Sequence, residues 1–150
     1  MIDQENNVPR VWTHLIDNVD WNELSALYLA APLGNKKPVD LKTVFTNSMF
    51  RCFVHDSGKL VGVGRALADG VDRACICDIA VLPGHQGTGL GMKIVAHLVD
   101  RARGHRKIIL YAVPGKEGFY RKLGFKRMTT AMAIFDDQAG ALAPGYINEK

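Results

Sequence analysis

The chain has 150 residues, 47% of them hydrophobic and 23% charged, and its formal net charge is +4 at pH 7. This composition predicts a single globular domain over residues 1–150 and argues against a membrane protein, because no run approaches the roughly 20 apolar residues of a membrane span. Asp3 and Glu5 within residues 1–9, where an apolar core is also missing, do not fit a signal peptide, so we expect a cytoplasmic protein.

The predicted elements alternate between strands and helices and are followed by a loose tail over residues 136–150. An N-terminal capping box at Asp20–Glu23 begins the first helix, and the segment 32–38, rich in proline and glycine, ends it. The predicted elements, in chain order, are a strand over 8–14, helices over 20–31 and 39–48, strands over 50–55, 60–68 and 73–82, a helix over 93–103, a strand over 107–113, a helix over 115–123 and a strand over 127–135.

This order predicts a mixed α/β fold with a mainly antiparallel front half. The second and third strands are joined by Asp56–Lys59, which has the composition of a hairpin turn. The strands over 73–82 and 107–113 are joined through a helix, so we expect them to be parallel neighbours.

The chain has three cysteines, Cys52, Cys75 and Cys77, and their positions indicate whether a disulfide or a metal site can form. Cys75 and Cys77 alternate on one predicted strand, where neighbours two positions apart rarely suit a disulfide. No second cluster of cysteine and histidine completes a zinc site. We therefore expect free thiols, buried or partly buried, and no bound metal.

The segment Gln86–Gly91, with sequence QGTGLG, lies between an apolar strand and an amphipathic helix. Several backbone N–H groups gather at such a helix start, where the helix dipole also favours negative charge. Its three glycines lack Cβ atoms, so a phosphate can approach the main chain closely. The segment therefore predicts a site for a phosphate-bearing ligand.

Two nucleotide-binding patterns do not fit this segment. A P-loop requires Gly-Lys-Ser/Thr at the helix start, whereas the chain has Gly91-Met92-Lys93-Ile94. A dinucleotide fold requires GxGxxG and an acidic residue at the end of the next strand, but that strand runs into Val113-Pro114.

The segment Ile79–Pro83 followed by Gln86–Gly91 resembles the acyl-CoA signature of the GCN5-related N-acetyltransferases, the GNAT superfamily. A second segment, Gly118–Phe125, is similar to the other signature of this family, at a fitting distance along the chain. The two motifs and the element order extend the resemblance over most of residues 8–135. It implies the GNAT fold, in which helices flank a mixed, mainly antiparallel sheet and two parallel strands splay apart at the cofactor site.

The resemblance also implies acetyl-CoA as cosubstrate, with its pyrophosphate at the glycine segment and its pantetheine arm along the preceding strand. Lys116 stands where many members of the family have asparagine, and its contact with coenzyme A or with solvent alone stays open. The implied cofactor-binding residues are Ile79, Ala80, Val81, Gln86, Gly87, Thr88, Gly89, Leu90, Gly91, Met92, Lys116 and Phe119.

Acetyl transfer to an amine requires a neutral amine, a stabilised oxyanion and a proton for the leaving thiolate. Tyr120 lies at the position of the family's catalytic tyrosine, so the resemblance makes it the candidate general acid. Asp78 is the one carboxyl on the strand before the glycine segment and is a candidate base. Strand alternation places its side chain on the other face unless a bulge intervenes, so deprotonation through water stays open. A covalent route through Cys75 or Cys77 lacks a partner base.

The resemblance places the acceptor beside the first two helices and the 32–38 segment, where Tyr28, Leu33 and Phe45 are candidate substrate contacts. No carboxylate cluster attracts a polyamine, which favours a small-molecule primary amine such as an arylalkylamine. The chain also resembles glucosamine-phosphate acetyltransferases, for which Lys36 and Lys37 would bind the phosphate. A protein amine and a non-catalytic acyl-CoA sensor stay open as alternatives.

The basic excess, denser from residue 93 onward, favours an anionic small ligand over nucleic acid. We expect neither a nucleic-acid nor a membrane partner. Dimerisation is common in the family, and the apolar segment Met128–Phe135 is the candidate homodimer contact.

Overall fold

The computed structural model describes residues 9–149, which divide into two compact units at Leu110 and Tyr111. The predicted single domain over residues 1–150 stays a prediction. Residues 1–8, which include Asp3 and Glu5 of the segment that does not fit a signal peptide, lie outside the described part. The helices and strands are β1 (Val11–Thr13), α1 (Trp21–Ala30), α2 (Pro38–Thr46), β2 (Phe50–Asp56), β3 (Lys59–Ala68), β4 (Arg73–Val81), α3 (Leu90–Ala102), β5 (Lys107–Ile109), α4 (Glu117–Arg121) and α5 (Gln138–Leu142), with a 3₁₀ turn at Pro83–His85.

One sheet of five strands, in the order β1-β2-β3-β4-β5, forms the centre of the first unit. The first four strands are antiparallel neighbours, and β4 pairs with β5 in parallel. The β2–β3 hairpin turns at Ser57 and Gly58, whose φ angles are +50° and +80°, as a tight two-residue turn requires. The predicted mixed, mainly antiparallel sheet is confirmed.

Helices α1 and α2 pack on one face of the sheet. Their buried side chains, with those of the sheet, form a core of Leu24, Leu27, Tyr28, Leu41, Phe45, Phe53, Leu60, Val63 and Ala80. Helix α3 approaches Gly62 and Gly64, whose missing Cβ atoms leave room for Leu90, Ile94 and Leu98. Successive residues of a strand face opposite sides of the sheet. Since Val63 faces the core and Gly62 and Gly64 face α3, the core and α3 lie on opposite sides of the sheet.

Asp20 caps α1, and its carboxylate accepts hydrogen bonds from the N–H groups of Asn22 (3.0 Å) and Glu23 (3.1 Å). The other half of the predicted capping box does not form, since the Glu23 carboxylate instead accepts from the N–H of Leu60 at 3.5 Å. That bond ties the first helix to β3. In the described part of the chain, no helix combines the length and apolar character needed to cross a membrane.

Two predicted strands differ in the structure. The strand expected over 107–113 ends at Ile109, where its pairing with β4 stops. The prediction of a strand over 127–135 is wrong. None of the described residues after 110 belongs to a strand, so this segment has no strand to pair with in that part of the chain. Its apolar side chains do not line a buried face, since Met132 is 97% and Ile134 96% exposed. Within the expected loose tail, Asp137 caps the short helix α5 by accepting from the N–H of Gly140.

Candidate active site

The parallel pair β4 and β5 separates after a short run of contact. Pairing begins at Arg73 and Lys107 and ends at Cys75 and Ile109. From Ile76 to Val81, the edge of β4 that faces away from β3 has no strand partner among the described residues. The predicted splay is therefore present, and it leaves this stretch of β4 with an edge that no strand of the described residues pairs with.

A β-bulge bends β4 inside this unpaired stretch. Arg65 of β3 lies opposite Cys77, but Val63 lies opposite Ala80, so β4 carries one extra residue between these pairs. Asp78 has φ = +54°, a left-handed conformation that is uncommon for a residue with a side chain. The bulge also reverses the faces, because Ile79 contacts the space over Gly64 on the α3 side whereas Ala80 belongs to the core under α1 and α2. From the sequence, we could say only that Asp78 would lie on the other face of the sheet unless such a bulge was present.

Asp78 is held at the bulge by three contacts. The Arg65 guanidinium donates from Nε to its Oδ2 at 2.7 Å, and Lys36 Nζ lies 3.8 Å from its Oδ1. The hydroxyl of Tyr28 donates to its backbone carbonyl at 2.7 Å. The carboxylate is only partly exposed (25%), and Oδ2 is already engaged in a charge-assisted hydrogen bond. This geometry suits a residue that fixes the shape of the strand better than one that accepts a proton from substrate.

Arg65 is the residue of this site that the sequence analysis did not identify. It is an arginine within the otherwise apolar strand β3, with a side chain only 12% exposed. Its guanidinium also donates from Nη1 to the Ser48 hydroxyl at 3.2 Å and lies over the Phe45 ring. One feature of the sequence could have indicated this pair. Arg65 is a basic residue within a mainly apolar strand, and the next strand carries a single acidic residue, Asp78.

The glycine segment connects β4 to α3 and leaves its backbone donors open. Gly87 and Gly89 have φ angles of +76° and +82°, and a Cβ atom added at either would meet nothing within 4 Å. Lys93 is the first residue whose N–H bonds back, to the carbonyl of Gly89 at 3.1 Å. Among the described residues, no protein acceptor is present for the N–H groups of residues 87–92, and no side chain caps α3. An anionic group at this helix start would find several donors and the positive end of the helix dipole.

Side chains of the segment hold its shape. Gln86 donates from Nε2 to the carbonyl of Val81 at 3.0 Å, and the Thr88 hydroxyl donates to the carbonyl of His85 at 2.6 Å. Leu90 is buried, and Met92 is half-buried. The bond between Gln86 and Val81 thus ties Gln86–Met92 to the end of β4 at Ile79–Val81, and the cofactor-binding role of these residues stays a prediction.

The second unit contains the candidate acid. Tyr120 lies on α4, half-buried, with its ring 5.0 Å from Phe119 and 6.0 Å from Phe125. Burial raises the pKa of its phenol above the usual 10.0, so the hydroxyl is protonated at neutral pH. The helix ends through Gly124 at φ = +92°, which lets the Phe125 N–H reach back to the Tyr120 carbonyl at 3.2 Å. Lys116 is exposed at the start of α4. The roles of Tyr120, Phe119 and Lys116 stay predictions.

The three candidate substrate contacts differ in exposure. Tyr28 and Phe45 are completely buried in the core, whereas Leu33 is half-buried and packs against that core. Tyr28 therefore acts on the site through its hydrogen bond to the bulge, and Leu33 is the one of the three with an accessible side chain. Their assignment to the acceptor stays a prediction.

A comparison with known protein families tests the resemblance that the two sequence motifs suggested. Residues 17–125 match the profile described as the Acetyltransferase (GNAT) family, and the chain belongs to that family. The resemblance stated from the two sequence motifs is thereby confirmed.

Individual relatives match parts of the chain. Serotonin N-acetyltransferase 2 of rice (Oryza sativa subsp. japonica), a chloroplastic protein, is 45% identical over 71 residues, which are 46% of this chain and 36% of that protein. The chloroplastic GCN5-related N-acetyltransferase 1 of Arabidopsis thaliana is 28% identical over 113 residues, 73% of this chain and 57% of its own length. The chain thus spans about half the length of the curated relatives it matches.

A solved structure supports the fold. A protein of unknown function from meticillin-resistant Staphylococcus aureus, described as a probable acetyltransferase, has a TM-score of 0.74 to this chain at 24% sequence identity. The match covers 85% of this chain and 98% of the staphylococcal one. At this identity the likeness shows the fold alone, and it confirms the predicted GNAT fold.

Proposed function

We propose that this protein transfers the acetyl group of acetyl-CoA to a primary amine of a small molecule. The observation that carries this proposal is a strip made of two sets of backbone groups, the edge of β4 without a strand partner at Ile76–Val81 and the open N–H groups of residues 87–92, which the hydrogen bond from Gln86 to the Val81 carbonyl ties together. A ligand with amides in an extended arm and a pyrophosphate at one end matches both parts. Acetyl-CoA supplies an activated acetyl group when it is bound there.

The residues of the strip have distinct tasks in this proposal. The N–H groups of residues 87–92 hold the pyrophosphate, and the free edge of β4 pairs with the amides of the pantetheine arm. A main-chain N–H of Ile79–Val81, just past the bulge, donates to the oxygen of the tetrahedral intermediate. The bulge aims these donors, and the Arg65–Asp78 pair keeps the bulge in place.

The amine attacks the thioester carbonyl, and the bond between the carbonyl carbon and the sulfur then breaks. Tyr120, a phenol that is protonated at neutral pH, donates its proton to the leaving sulfur. Water removes the proton of the attacking amine, because the Asp78 carboxylate is occupied by Arg65. Asp78 is therefore a positioning residue rather than the base in this mechanism.

The acceptor in this proposal is a primary amine with an apolar or aromatic body. The accessible side chain of Leu33 offers an apolar contact, and the name of the rice relative specifies serotonin, an arylalkylamine, for that protein. A second candidate acceptor, an amino sugar phosphate, is favoured by Lys36, whose ammonium lies beside the Asp78 carboxylate at 3.8 Å. Lys36→Met should raise KM for phosphorylated amines at least several-fold and leave KM for uncharged arylalkylamines nearly unchanged if this second acceptor is right.

The test is release of free thiol from acetyl-CoA with a panel of amines, together with the binding of acetyl-CoA by calorimetry. Tyr120→Phe should lower kcat by about 100-fold or more while acetyl-CoA binds as before. Tyr146→Phe, which changes another tyrosine of the second unit in the same way, is the control and should keep wild-type turnover. Binding without thiol release across the panel would favour an acyl-CoA sensor, and no binding at all would refute both readings.

A further inference from the structure

Cys75 and Cys77 form a close pair of thiols on β4. Their Sγ atoms lie 3.8 Å apart, and both side chains are half-buried with some accessible surface. Two positions along a strand place side chains on the same face. Cys77 lies opposite Arg65, so the thiols share the face of the arginine and not that of α3.

The backbone of Cys75 is held on both edges of β4, and that of Cys77 on the β3 edge, where it pairs with Arg65. Cys75 pairs with Leu67 on one side and with Ile109 on the other, and it is the last residue of β4 with neighbours on both edges. The sulfur atoms can therefore adjust by side-chain rotation, while their Cα positions stay fixed. Such a pair is preorganised for a ligand that takes two sulfurs at once.

The Cys77 thiol also bears on the acidity of Cys75. Cys77 Sγ lies 3.8 Å from Cys75 Sγ and 3.5 Å from the Cys75 carbonyl oxygen, and donation of its S–H to Cys75 Sγ lowers the pKa of Cys75 to about 7, against the effect of burial and with the Arg65 charge acting in the same direction as the bond. The same bond raises the pKa of Cys77. Because the thiolate is the reactive form, Cys75 is a nucleophile at neutral pH with a second thiol in contact.

The distance between the sulfurs suits a bridging atom. Two sulfurs bonded to one thiophilic atom lie within about 4 Å of each other, so a pair that is 3.8 Å apart needs only a small side-chain rotation to bind one trivalent atom with pyramidal bonds. No group of three or more metal-ligating side chains occurs among the described residues, so the protein supplies two sulfurs at this point. The ligand that fits is one that two sulfurs satisfy.

We propose that Cys75 and Cys77 are a bidentate dithiol site for a thiophilic centre with two exchangeable positions, of which a monosubstituted trivalent arsenical is the chemical class that fits. With phenylarsine oxide, two As–S bonds form, the bond between arsenic and oxygen is lost, and the two thiol protons leave with that oxygen as one water. Arsenic stays trivalent, and no oxidant or reductant is needed.

Occupation of this site has a consequence for acetyl transfer, which rests on the proposed function. Cys77 immediately precedes the bulge residue Asp78, and Cys75 is where β4 and β5 separate. An aryl group fixed across the two sulfurs occupies the accessible surface at this point of β4. We therefore expect the adduct to inhibit acetyl transfer.

The test is the intact mass of the folded protein after treatment with phenylarsine oxide. Wild type should retain one phenylarsenic group per chain through washing with a monothiol and lose it to a dithiol such as dithiothreitol. Cys75→Ser and Cys77→Ser should each lose the group to the monothiol. Cys52→Ser is the matched control, because Cys52 is fully buried and burial raises the pKa of its thiol to about 12, and it should behave as wild type.

A second measurement uses the wild-type chain alone and does not depend on the folding of variants. Phenylarsine oxide should protect Cys75 and Cys77 together from a maleimide, as read by peptide mass spectrometry. Loss of the group from wild type in monothiol, retention by Cys75→Ser, or protection of one cysteine alone would each overturn the site. If the adduct forms and acetyl transfer is unchanged, the expected inhibition is refuted but the dithiol site is not. If the untreated protein shows no acetyl transfer, the proposed function is refuted, and the mass measurement still tests the site.

Discussion

The Nε of Arg65 and the Oδ2 of Asp78 are 2.7 Å apart and join β3 to β4 at the point where β4 carries an extra residue. This ion pair connects two features that are separate in the sequence, an arginine within an apolar strand and an aspartate in left-handed conformation. The guanidinium compensates the partly buried carboxylate, and the carboxylate fixes the bulge that opens the edge of β4.

Substitution of Asp78 distinguishes a positioning residue from a base. Asparagine tolerates the left-handed conformation and its amide oxygen can still accept the hydrogen bond from Arg65, so Asp78→Asn removes the charge while this tie to the bulge remains. We expect kcat to fall by less than about 10-fold, with an unchanged pH profile, because water and not Asp78 takes the proton. Asp78→Ala adds backbone strain of about 1–2 kcal/mol and should lower the free energy of unfolding as well. A loss of 100-fold or more in Asp78→Asn, with disappearance of the acidic limb of the profile, where protonation of a base lowers the rate, would instead assign the base to Asp78.

The glycine segment provides a matched pair of substitutions for acetyl-CoA binding. Gly89→Ala forces an L residue into φ = +82°, whereas Gly84→Ala falls where φ is ordinary and where the added Cβ meets open space. Because the free segment with alanine relaxes out of this conformation and must regain it to bind, a cost of about 1 kcal/mol at Gly89 corresponds to roughly five-fold weaker binding, as measured by calorimetry. Gly84→Ala should bind as wild type, and equal affinities of the two variants would argue against a ligand on this main chain.

His14 and His97 form a pair that makes stability depend on pH. Their Nε2 atoms are 2.8 Å apart and their rings stack, so one imidazole donates and the other must accept. Desolvation, followed by the charge of Arg101, lowers the pKa of His14. Desolvation, His14 and Arg101 lower the pKa of His97, against a smaller opposite effect of Asp100. The unfolded chain, with histidine near pKa 6.5, thus binds more protons than the folded one below that pH.

The stability contributed by neutral imidazoles is therefore complete above about pH 6.5 and lost as the pH falls through the lowered values of the folded state. We expect the free energy of unfolding in urea to decrease from pH 7 to pH 5. The double variant His14→Gln/His97→Gln should show a flatter slope over the same range. His55→Gln leaves the pair intact and should keep the wild-type slope, and a wild-type slope in the double variant would contradict the assignment.

The thiol pair predicts a site-specific pH profile of alkylation. With a pKa of about 7, Cys75 should react with iodoacetamide at half its maximal rate near pH 7, because the thiolate forms as the pH rises through the pKa. Cys77→Ala removes the S–H donor and should move the midpoint upward by more than one pH unit, toward the ordinary thiol value. Peptide mass spectrometry follows Cys75 separately from the other cysteines. A midpoint that stays in place in Cys77→Ala would exclude the hydrogen bond as its cause.

Much of the first unit could be predicted from the sequence because its signals are local. The capping aspartate at Asp20, the hairpin turn at Ser57–Gly58 and the glycine segment each encode a backbone conformation within a few residues. The bulge at Asp78 could not be predicted in this way, since one extra residue in β4 becomes visible only through its partners in β3. The same holds for Arg65, whose meaning depends on a neighbour 13 positions away.

The strand predicted over 127–135 shows the opposite case. Apolar residues there suggested a buried face, but a strand requires a partner as well as a pattern, and the second unit offers none in its described part. The exposed Met132 and Ile134 leave the homodimer contact at Met128–Phe135 a prediction. Analytical ultracentrifugation of Ile134→Asp would test it.

A sheet edge that is left open for a ligand is equally open to any extended chain, and exposed edges of this kind invite aggregation. The bulge at Asp78 interrupts the free edge of β4 between Ile76 and Val81, so a foreign strand cannot pair with it in one continuous register. The bulge that orients the backbone donors of this site therefore also disfavours self-association through strand pairing while no ligand covers the edge.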